Sequence, residues 1–496
     1  MRRSGILLPV TALPSKYGIG CFSKEAYEFV DFLADAGQSF WQVLPLGATG
    51  YGDSPYQSFS TFAGNPYLID LSDLVEKGWI TEKDCSSVKW GKDPEHVDYE
   101  KIYKKRLLLL AKAYKNSDVI HTREYKRFVK ENAFWLEDFV LFMSLKERNG
   151  GQSFVHWEDA LRCHKKKAVD KAKKDPFVKE MAEICRFVQY LFFTQWNKLK
   201  KYANEKGVKI IGDIPIYVAF DSADTWSHPE LFQLDEKGYP LAVAGCPPDY
   251  FSATGQLWGN PLYCWENHKA SGFEWWIQRL EFIFNMYDVV RIDHFRGFEA
   301  YYSIPYGDPT AEFGHWEKGP GYDLFKAMKE KLGEREIIAE DLGFLTPGVK
   351  RLVKRCGYPG MKILEFAFDS AEDNDYLPHN YEKNCVVYTG THDNDTVLGW
   401  FKQLKQKDKN FTKEYLGVKS TAQMSWNLIR LALSSVADTA IIPMQDYLEL
   451  GSEGRINTPS TLGGNWDWRM KKGVATPALA ERIRKLSSMY GRCKDL

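Results

Sequence analysis

The sequence predicts an α/β fold, a (β/α)₈ TIM barrel, from three observations. Eight apolar, strand-like runs follow one another along the chain, and eight parallel strands close such a barrel. Amphipathic stretches separate most of these runs, as expected for βα units. No dinucleotide-binding fingerprint follows the first run, which disfavours the alternative of an open, doubly wound sheet. The runs are Ile6–Val10, Phe40–Leu46, Lys209–Ile216, Val289–Asp293, Ile337–Glu340, Ile363–Phe368, Val386–Tyr388 and Ala440–Met444.

Helical patterns fill the intervals between these runs. The first helix is predicted near Lys24–Ala36 and ends at Gly37, because glycine readily takes the conformation that ends a helix. Later strands are each preceded by a stretch in which apolar residues recur at helical spacing. These stretches are Phe187–Ala203, Glu274–Met286, Tyr322–Leu332 and Gly348–Arg355.

The interval between the second and third strands is too long for an ordinary loop. It runs from about Leu71 to Ile184 and carries helical patterns at Lys101–Tyr114 and Trp135–Lys146. We therefore predict a mostly helical insertion subdomain at residues 71–184, with residues 1–70 and 185–496 forming the catalytic barrel. The Lys165–Lys174 run is most simply a solvated helix face. A second long loop is expected after the third strand.

Composition excludes several classes of partner. The chain has 496 residues, of which 44% are hydrophobic, and Lys plus Arg equals Asp plus Glu at 66 each. A net charge of zero gives no field that would recruit nucleic acid or an anionic membrane. No run approaches the ~20 apolar residues of a membrane span.

The cysteines and the N-terminus both favour a cytoplasmic location. The nine cysteines are scattered without any Cys-x-x-Cys pair, which predicts reduced thiols. Arg2 and Arg3 precede an apolar run that is short and is interrupted by Pro9, so this segment is not expected to be a signal peptide.

Two of the predicted strands bring a carboxylic acid to the end of the barrel where catalytic groups lie. Arg291 and Asp293 alternate onto one face of the fourth strand, and the arginine favours an ionised Asp293. A structural Arg–Asp pair explains this motif equally well. Glu340 ends the fifth strand, where burial and a second carboxylate would raise its pKa. A helix cap is the simpler alternative for this acid.

The seventh strand leads into His392 and Asp393 at the rim. These side chains are suited to hydrogen-bonding sugar hydroxyls, contacts that strengthen in the transition state of glycosidic bond cleavage. The residues Asn394–Thr396 that follow are good helix caps, which is the structural alternative. No His-x-His follows the first strand, so no metal is predicted, and no cofactor is predicted either.

Together these motifs resemble the alpha-amylase superfamily and, more closely, glycoside hydrolase family 77, the 4-alpha-glucanotransferases. The resemblance extends along nearly the whole chain. It rests on the segments Gly50–Asp70 (GYGDSPYQSFSTFAGNPYLID), Ile210–Val218 (IIGDIPIYV), Gly245–Tyr263 (GCPPDYFSATGQLWGNPLY), Val290–Phe298 (VRIDHFRGF), Ile337–Gly343 (IIAEDLG), Tyr388–Thr396 (YTGTHDNDT) and Gly463–Arg469 (GGNWDWR).

The resemblance implies three catalytic roles: Asp293 as nucleophile, Glu340 as general acid/base and Asp393 as stabiliser of the transition state. It places Arg291, His294 and His392 around the sugar at the cleavage point. Residues lining glucose subsites would be Ser54, Tyr56, Trp258 and Asn465, with Tyr250 and Phe251 on a loop over the acceptor side. The resemblance also places Asp213, near the end of the third strand, among the substrate-binding residues. Its simplest role is structural.

The implied reaction moves a segment of an α-1,4-glucan to the 4-hydroxyl of glucose or another α-1,4-glucan through a covalent β-glucosyl-enzyme. The two carboxyl groups of a retaining enzyme are expected ~5–5.5 Å apart. Two alternatives use the same residues: an α-glucan hydrolase, and a catalytically silent glucan-binding protein. The expected partners are maltooligosaccharides or glucans of the starch and glycogen type, without nucleic acid or membrane. The sequence favours no particular oligomeric state.

Overall fold

A computed structural model of the chain describes residues 2–50, 52–248, 252–343, 345–369, 374–461 and 463–493, and within them twelve strands form two sheets. The strands are β1 (Arg3–Leu7), β2 (Phe40–Gln42), β3 (Lys209–Pro215), β4 (Ala242–Cys246), β5 (Gln256–Pro261), β6 (Val289–Asp293), β7 (Ala300–Pro305), β8 (His315–Lys318), β9 (Ile337–Ala339), β10 (Gly360–Ile363), β11 (Cys385–Tyr388) and β12 (Thr439–Pro443).

Nineteen α-helices lie in the same residues. They are α1 (Lys24–Asp35), α2 (Leu71–Glu76), α3 (Glu82–Ser86), α4 (Tyr99–Lys115), α5 (Arg123–Glu131), α6 (Ala133–Arg148), α7 (Asp159–Arg162), α8 (Lys166–Ala172), α9 (Pro176–Glu205), α10 (Ala223–Ser227), α11 (Trp265–Ala270), α12 (Glu274–Met286), α13 (Tyr322–Leu332), α14 (Pro347–Cys356), α15 (Val397–Gln403), α16 (Gln406–Leu416), α17 (Met424–Ser434), α18 (Met444–Tyr447) and α19 (Pro477–Met489).

The larger sheet is parallel and has the strand order β10-β11-β12-β1-β2-β3-β6-β9 in the described chain. Its two end strands meet where the Ala339 N–H donates to the carbonyl of Pro359, the residue before β10, at 3.0 Å. The eight predicted strands therefore close into the predicted barrel, and the fold class is confirmed. Side chains on both faces are buried, as in Arg291 and Ile292 of β6, because helices cover the outside of the barrel.

Three predicted strands differ clearly from the observed ones, and the second of the eight ends at Gln42 rather than at Leu46. The first strand is β1, Arg3–Leu7, rather than Ile6–Val10, because Pro9 has no N–H for the ladder and Val10 begins a 3₁₀ turn. The sixth ends at Ile363 instead of continuing to Phe368. Residues Leu364–Phe366 form a 3₁₀ turn in which the Ala367 N–H bonds to the Leu364 carbonyl at 2.9 Å.

The interval between β2 and β3 contains α2 to α9, and α6 packs along α9. The lysines of α8 are exposed, whereas Val169 and Ala172 on the same helix are buried, so that basic run is a solvated helix face. The division into a barrel and an insertion subdomain stays a prediction. Its boundary at residues 184 and 185 falls inside α9. This helix continues unbroken past the boundary and packs against β3 of the barrel.

The smaller sheet was missed. It has the antiparallel order β5-β4-β7-β8 and combines β4 and β5 from the long connection after β3 with β7 and β8 from the connection after β6. The pairing of β4 with β5 shifts register between Val243 and Gly245, which breaks the alternation that sequence patterns reveal. This sheet flanks the β6 terminus, where the candidate site begins.

Among the described residues, no helix has both the length and the apolar composition needed to cross a lipid bilayer. None of the nine cysteines, all of which lie in the described residues, is joined in a disulfide bond.

Candidate active site

Asp293 and Glu340 lie at the same end of neighbouring barrel strands. Strand β6 pairs with β9 in parallel register, with Ile292 opposite Ala339, so the next residue on each strand is one of the two acids. The Glu340 N–H donates to the Ile292 carbonyl at 3.1 Å, and the Phe295 N–H donates to the Glu340 carbonyl at 2.9 Å. These backbone bonds extend the ladder past both acids and fix their mutual position.

Two backbone amides hold the carboxyl group of Glu340. The His294 N–H donates to Oε2 at 2.7 Å and the Leu342 N–H donates to Oε1 at 2.9 Å. His294 reaches this position by adopting a left-handed backbone conformation, with φ 50° and ψ 48°. Such a conformation is strained for a residue with a side chain and is often found at functional sites. Here it turns the chain after Asp293 so that an amide faces Glu340.

Arg291 joins Asp293 to a carboxylate beneath it. Its Nη1 donates to both oxygens of Asp213 at 2.8 and 2.7 Å and to Oδ1 of Asp293 at 3.0 Å. Asp213 is completely buried and also accepts a hydrogen bond from the Tyr56 hydroxyl at 2.9 Å. Removing one member of such a buried ion pair is costly, on the order of 3–5 kcal/mol. Asp213 thus supports the site from below.

The two carboxyl groups occupy different electrostatic environments. Burial raises the pKa of Glu340, and the Asp293 carboxylate raises it further, against the opposing effect of Arg291. Burial also raises the pKa of Asp293, but the Arg291 guanidinium in contact with it opposes that increase and favours the ionised form. Within the described residues Glu340 forms no ion pair. The pair is therefore arranged to hold a single proton, on Glu340.

We expect a bell-shaped pH profile of kcat/KM for glucan turnover, with its maximum on the acid side of neutrality. Activity requires Asp293 ionised, so it falls as pH drops through the lower pKa of the pair. It also requires Glu340 protonated, so it falls again as pH rises through the higher pKa, which lies above the usual value for glutamate. Initial rates from pH 4 to 9 check this. A rate that keeps rising above pH 8 would contradict a protonated Glu340.

Asp393 and His392 form an ion pair at the end of β11. His392 Nε2 lies 3.3 Å from Oδ2 of Asp393, and the Asn457 amide donates to Oδ1 at 2.6 Å. Desolvation at the end of the barrel would by itself raise the pKa of Asp393, whose side chain stays partly exposed, but His392, Asn457 and Arg291 together lower it to about 2. Burial acts to lower the pKa of His392, and Asp393 outweighs that effect and raises it. Asp393 is therefore ionised throughout the physiological range.

Aromatic rings line the space around these groups. The Tyr56 ring stacks on the His392 ring at 5.2 Å, and Trp466 lies 5.9 Å from each of them. Trp258 meets His294 edge to face at 4.7 Å. Burial, with a contribution from Arg296, lowers the pKa of His294 to about 3, so its ring is neutral. Within the described chain, Nε2 of His294 and Nδ1 of His392 are buried without a hydrogen-bond partner, so each ring keeps an unused hydrogen-bonding atom at the site.

Two other predicted binding residues make contacts within their own segments. Ser54 Oγ accepts a hydrogen bond from the Tyr56 N–H at 3.3 Å, so it shapes the turn that carries Tyr56. Asn465 bonds within its own segment, accepting from the Thr458 N–H at 2.9 Å. Tyr250 and Phe251 lie outside the described residues.

Four further residues border the site and were not predicted. Tyr217 lies 6.5 Å from His294 between ring centroids, and Trp466 follows directly on Asn465 in a segment already singled out. Arg455 and Asn457 contact Asp393 from a segment that carries no motif. No cluster of three or more metal-ligating His, Cys, Asp or Glu side chains occurs in the described part of the chain.

Comparison with known proteins identifies the family. The model of glycoside hydrolase family 77, described as 4-alpha-glucanotransferase, matches residues 8–475. The chain is 50% identical over 487 residues to a 4-alpha-glucanotransferase of Clostridium butyricum, with 98% of this chain and 100% of the relative covered. It is 48% identical over 502 residues to a 4-alpha-glucanotransferase of Thermus thermophilus, with 99% of each covered.

A solved structure, amylomaltase from Streptococcus agalactiae in complex with acarbose, has the same fold throughout. It matches with a TM-score of 0.97 at 43% identity, and the match covers 100% of both chains. From its sequence, its barrel and these full-length matches, the chain belongs to glycoside hydrolase family 77.

Proposed function

We propose that this protein is a 4-alpha-glucanotransferase, which moves a segment of an α-1,4-glucan to the 4-hydroxyl of glucose or of another α-1,4-glucan. One observation carries the proposal: Asp293 and Glu340 end neighbouring strands, the first beside a buried arginine and the second held by two backbone amides. This is the charge arrangement that a retaining glycosyl transfer requires. The full-length relatives described above carry the same activity in their names.

In the first step, an oxygen of Asp293 attacks the anomeric carbon of the donor glucan. Glu340 gives its proton to the departing glycosidic oxygen, and the new glucosyl–aspartate ester has β configuration. The two amides on Glu340 leave its hydroxyl proton free to face the leaving oxygen. Arg291 stabilises the negative charge of Asp293 before attack, and the strand register keeps both groups on one side of the substrate.

In the second step, Glu340 acts as base towards the 4-hydroxyl of an acceptor sugar, which attacks the same anomeric carbon and releases Asp293. Inversion at each step retains the configuration overall. The ionised Asp393 would accept hydrogen bonds from sugar hydroxyls and favour the cationic transition state in both steps. The carboxyl separation of ~5–5.5 Å expected for this chemistry stays a prediction.

Transfer exceeds hydrolysis when a bound acceptor reaches the intermediate before water does. Tyr56, Trp466 and Trp258 give the site apolar ring faces suited to pyranose rings, and a bound glucan lying on them would displace water. Because these rings flank both histidines of the site, an occupied acceptor side would be largely dry. This favours the transferase over the hydrolase that uses the same acids.

Maltooligosaccharides are the simplest substrates of this kind, and glucans of the starch or glycogen type are the longer ones. The net charge of zero and the uncharged aromatic walls suit a neutral polymer. We place this activity in the cytoplasm, a proposal supported by nine cysteines without a disulfide bond among them, which suit a reducing compartment.

With maltotriose as the sole substrate, we expect release of glucose together with maltopentaose and longer products. The number of reducing ends should stay nearly constant, because each transfer forms one glycosidic bond for each bond broken. Chromatography of the products beside a reducing-end assay checks both quantities. Production of only glucose and maltose, with a steady gain of reducing ends, would identify the enzyme as a hydrolase.

A further inference from the structure

The segment that follows β12 contacts Asp393 at two points, and two further hydrogen bonds brace that contact. The Asn457 side chain donates to Oδ1 of Asp393 at 2.6 Å, and the Arg455 guanidinium donates to the Asp393 carbonyl at 2.8 Å. Arg455 also donates to the Asn457 carbonyl at 2.8 Å, and the Asn457 N–H donates to the His392 carbonyl at 3.1 Å. Backbone and side chain of the residue are therefore fixed by the same short segment.

We propose that Asn457 is a positioning residue that sets the orientation and the charge of Asp393, with Arg455 locking the segment in place. This inference rests on the proposed transferase function, in which Asp393 acts on the sugar. Asn457 is separated from Asp393 by 64 positions along the chain. The two residues meet because the segments after β11 and β12 lie side by side in the fold.

The need for such a residue follows from the exposure of Asp393. Its side chain is 44% exposed, so packing alone does not fix the carboxylate plane. His392 contacts one oxygen and Asn457 the other, and rotation of the carboxylate would break both contacts. An amide is suited to this place because it donates a hydrogen bond without adding a charge that would compete with His392.

A merely structural role for Asn457 would have a different consequence. The Trp466 N–H donates to the Ile456 carbonyl at 2.7 Å, so the same segment also supports an aromatic wall. If Asn457 served only that support, its loss would lower the melting temperature and raise KM at every pH. A role in setting the charge of Asp393 instead predicts that Asn457→Asp loses kcat in a pH-dependent way.

The test compares Asn457→Asp and Asn457→Ala with the wild type in maltotriose disproportionation from pH 5 to pH 8. The aspartate variant keeps the shape but replaces a donor by a second carboxylate against Asp393. We expect kcat at pH 8 to fall about 10- to 100-fold, the effect of losing a hydrogen bond to a charged group. The loss should shrink towards pH 5, because a proton shared by the two carboxyls restores a donor.

The alanine variant lacks that proton, so its loss should be similar at all these pH values, and both variants should keep a melting temperature near the wild type. Asn410→Asp is the matched control. Asn410 is exposed on α16 and its oxygen accepts from Gln406 at 2.9 Å, a contact that aspartate retains.

Three results would overturn the proposal. They are wild-type kcat in Asn457→Asp at pH 8, a pH-independent loss shared equally by both variants with lowered melting temperatures, and an equal loss in Asn410→Asp. Failure of the proposed function is distinguishable from these, since the wild-type enzyme itself would then give no disproportionation of maltotriose.

Discussion

Replacing Asp293 by asparagine is expected to lower kcat for maltotriose disproportionation by a factor on the order of 10⁴–10⁶, the range seen when a catalytic nucleophile is removed. The amide oxygen is a poor nucleophile and forms no stable ester with the sugar. Glucan binding should change little, because the aromatic rings and Asp393 are untouched. Initial rates by chromatography and the dissociation constant by calorimetry measure the two effects separately.

The fold should survive this change because Arg291 retains both oxygens of Asp213. An asparagine at position 293 also still offers Arg291 an oxygen. Asp323→Asn is the matched control, since Asp323 is 58% exposed on α13 and pairs with Lys269 at the surface; its activity should equal that of the wild type. Retention of activity within tenfold in Asp293→Asn would refute the nucleophile assignment. A variant that binds glucan but does not turn it over excludes a silent binding protein.

Replacing Glu340 by glutamine is expected to separate the two steps of the reaction. With maltotriose the rate should fall by about 10²–10⁴, the contribution of general acid–base catalysis. With an α-maltosyl fluoride donor, fluoride leaves without a proton, so the first step should still occur. The second step lacks its base, and fluoride release should stop after about one equivalent per enzyme.

Glutamine brings an N–H₂ group towards one of the two amide donors, those of His294 and Leu342. We therefore expect some loss of stability, about 1–3 kcal/mol for one unsatisfied donor. Glu340→Ala removes the N–H₂ group, although both amides then lose their acceptor, and it should show the same fluoride burst. Continuous turnover of the fluoride in both variants would mean that another group serves as the base.

Strand ends were the part of the site that the sequence could predict. Asp293 and Glu340 each follow a short apolar run, and parallel strands bring such ends to one edge of a barrel. Contacts between residues far apart in the sequence have no such signature. Asn457 meets Asp393, and Tyr56 meets Asp213, only after the connections between strands have folded. No periodicity in the chain indicates those pairs.

The barrel was predicted because its strands also have a clear apolar pattern. The smaller sheet was missed because its strands have none. Barrel strands such as β12 are apolar on both faces and stand out from their surroundings. Strand β4, Ala242–Cys246, is short and carries a glycine at a shift in register, and its partner β5 ends in proline. Such strands form because partners from distant segments are available, and their own residues give little indication of it.

The covalent step is tested most directly by locating the sugar in the stalled enzyme. Glu340→Gln, treated with α-maltosyl fluoride and digested at low pH, should yield one peptide heavier by a single maltosyl group. Fragmentation should place that group on residue 293. A maltosyl group on any other residue, or an unmodified peptide in an enzyme that has released its equivalent of fluoride, would contradict the account.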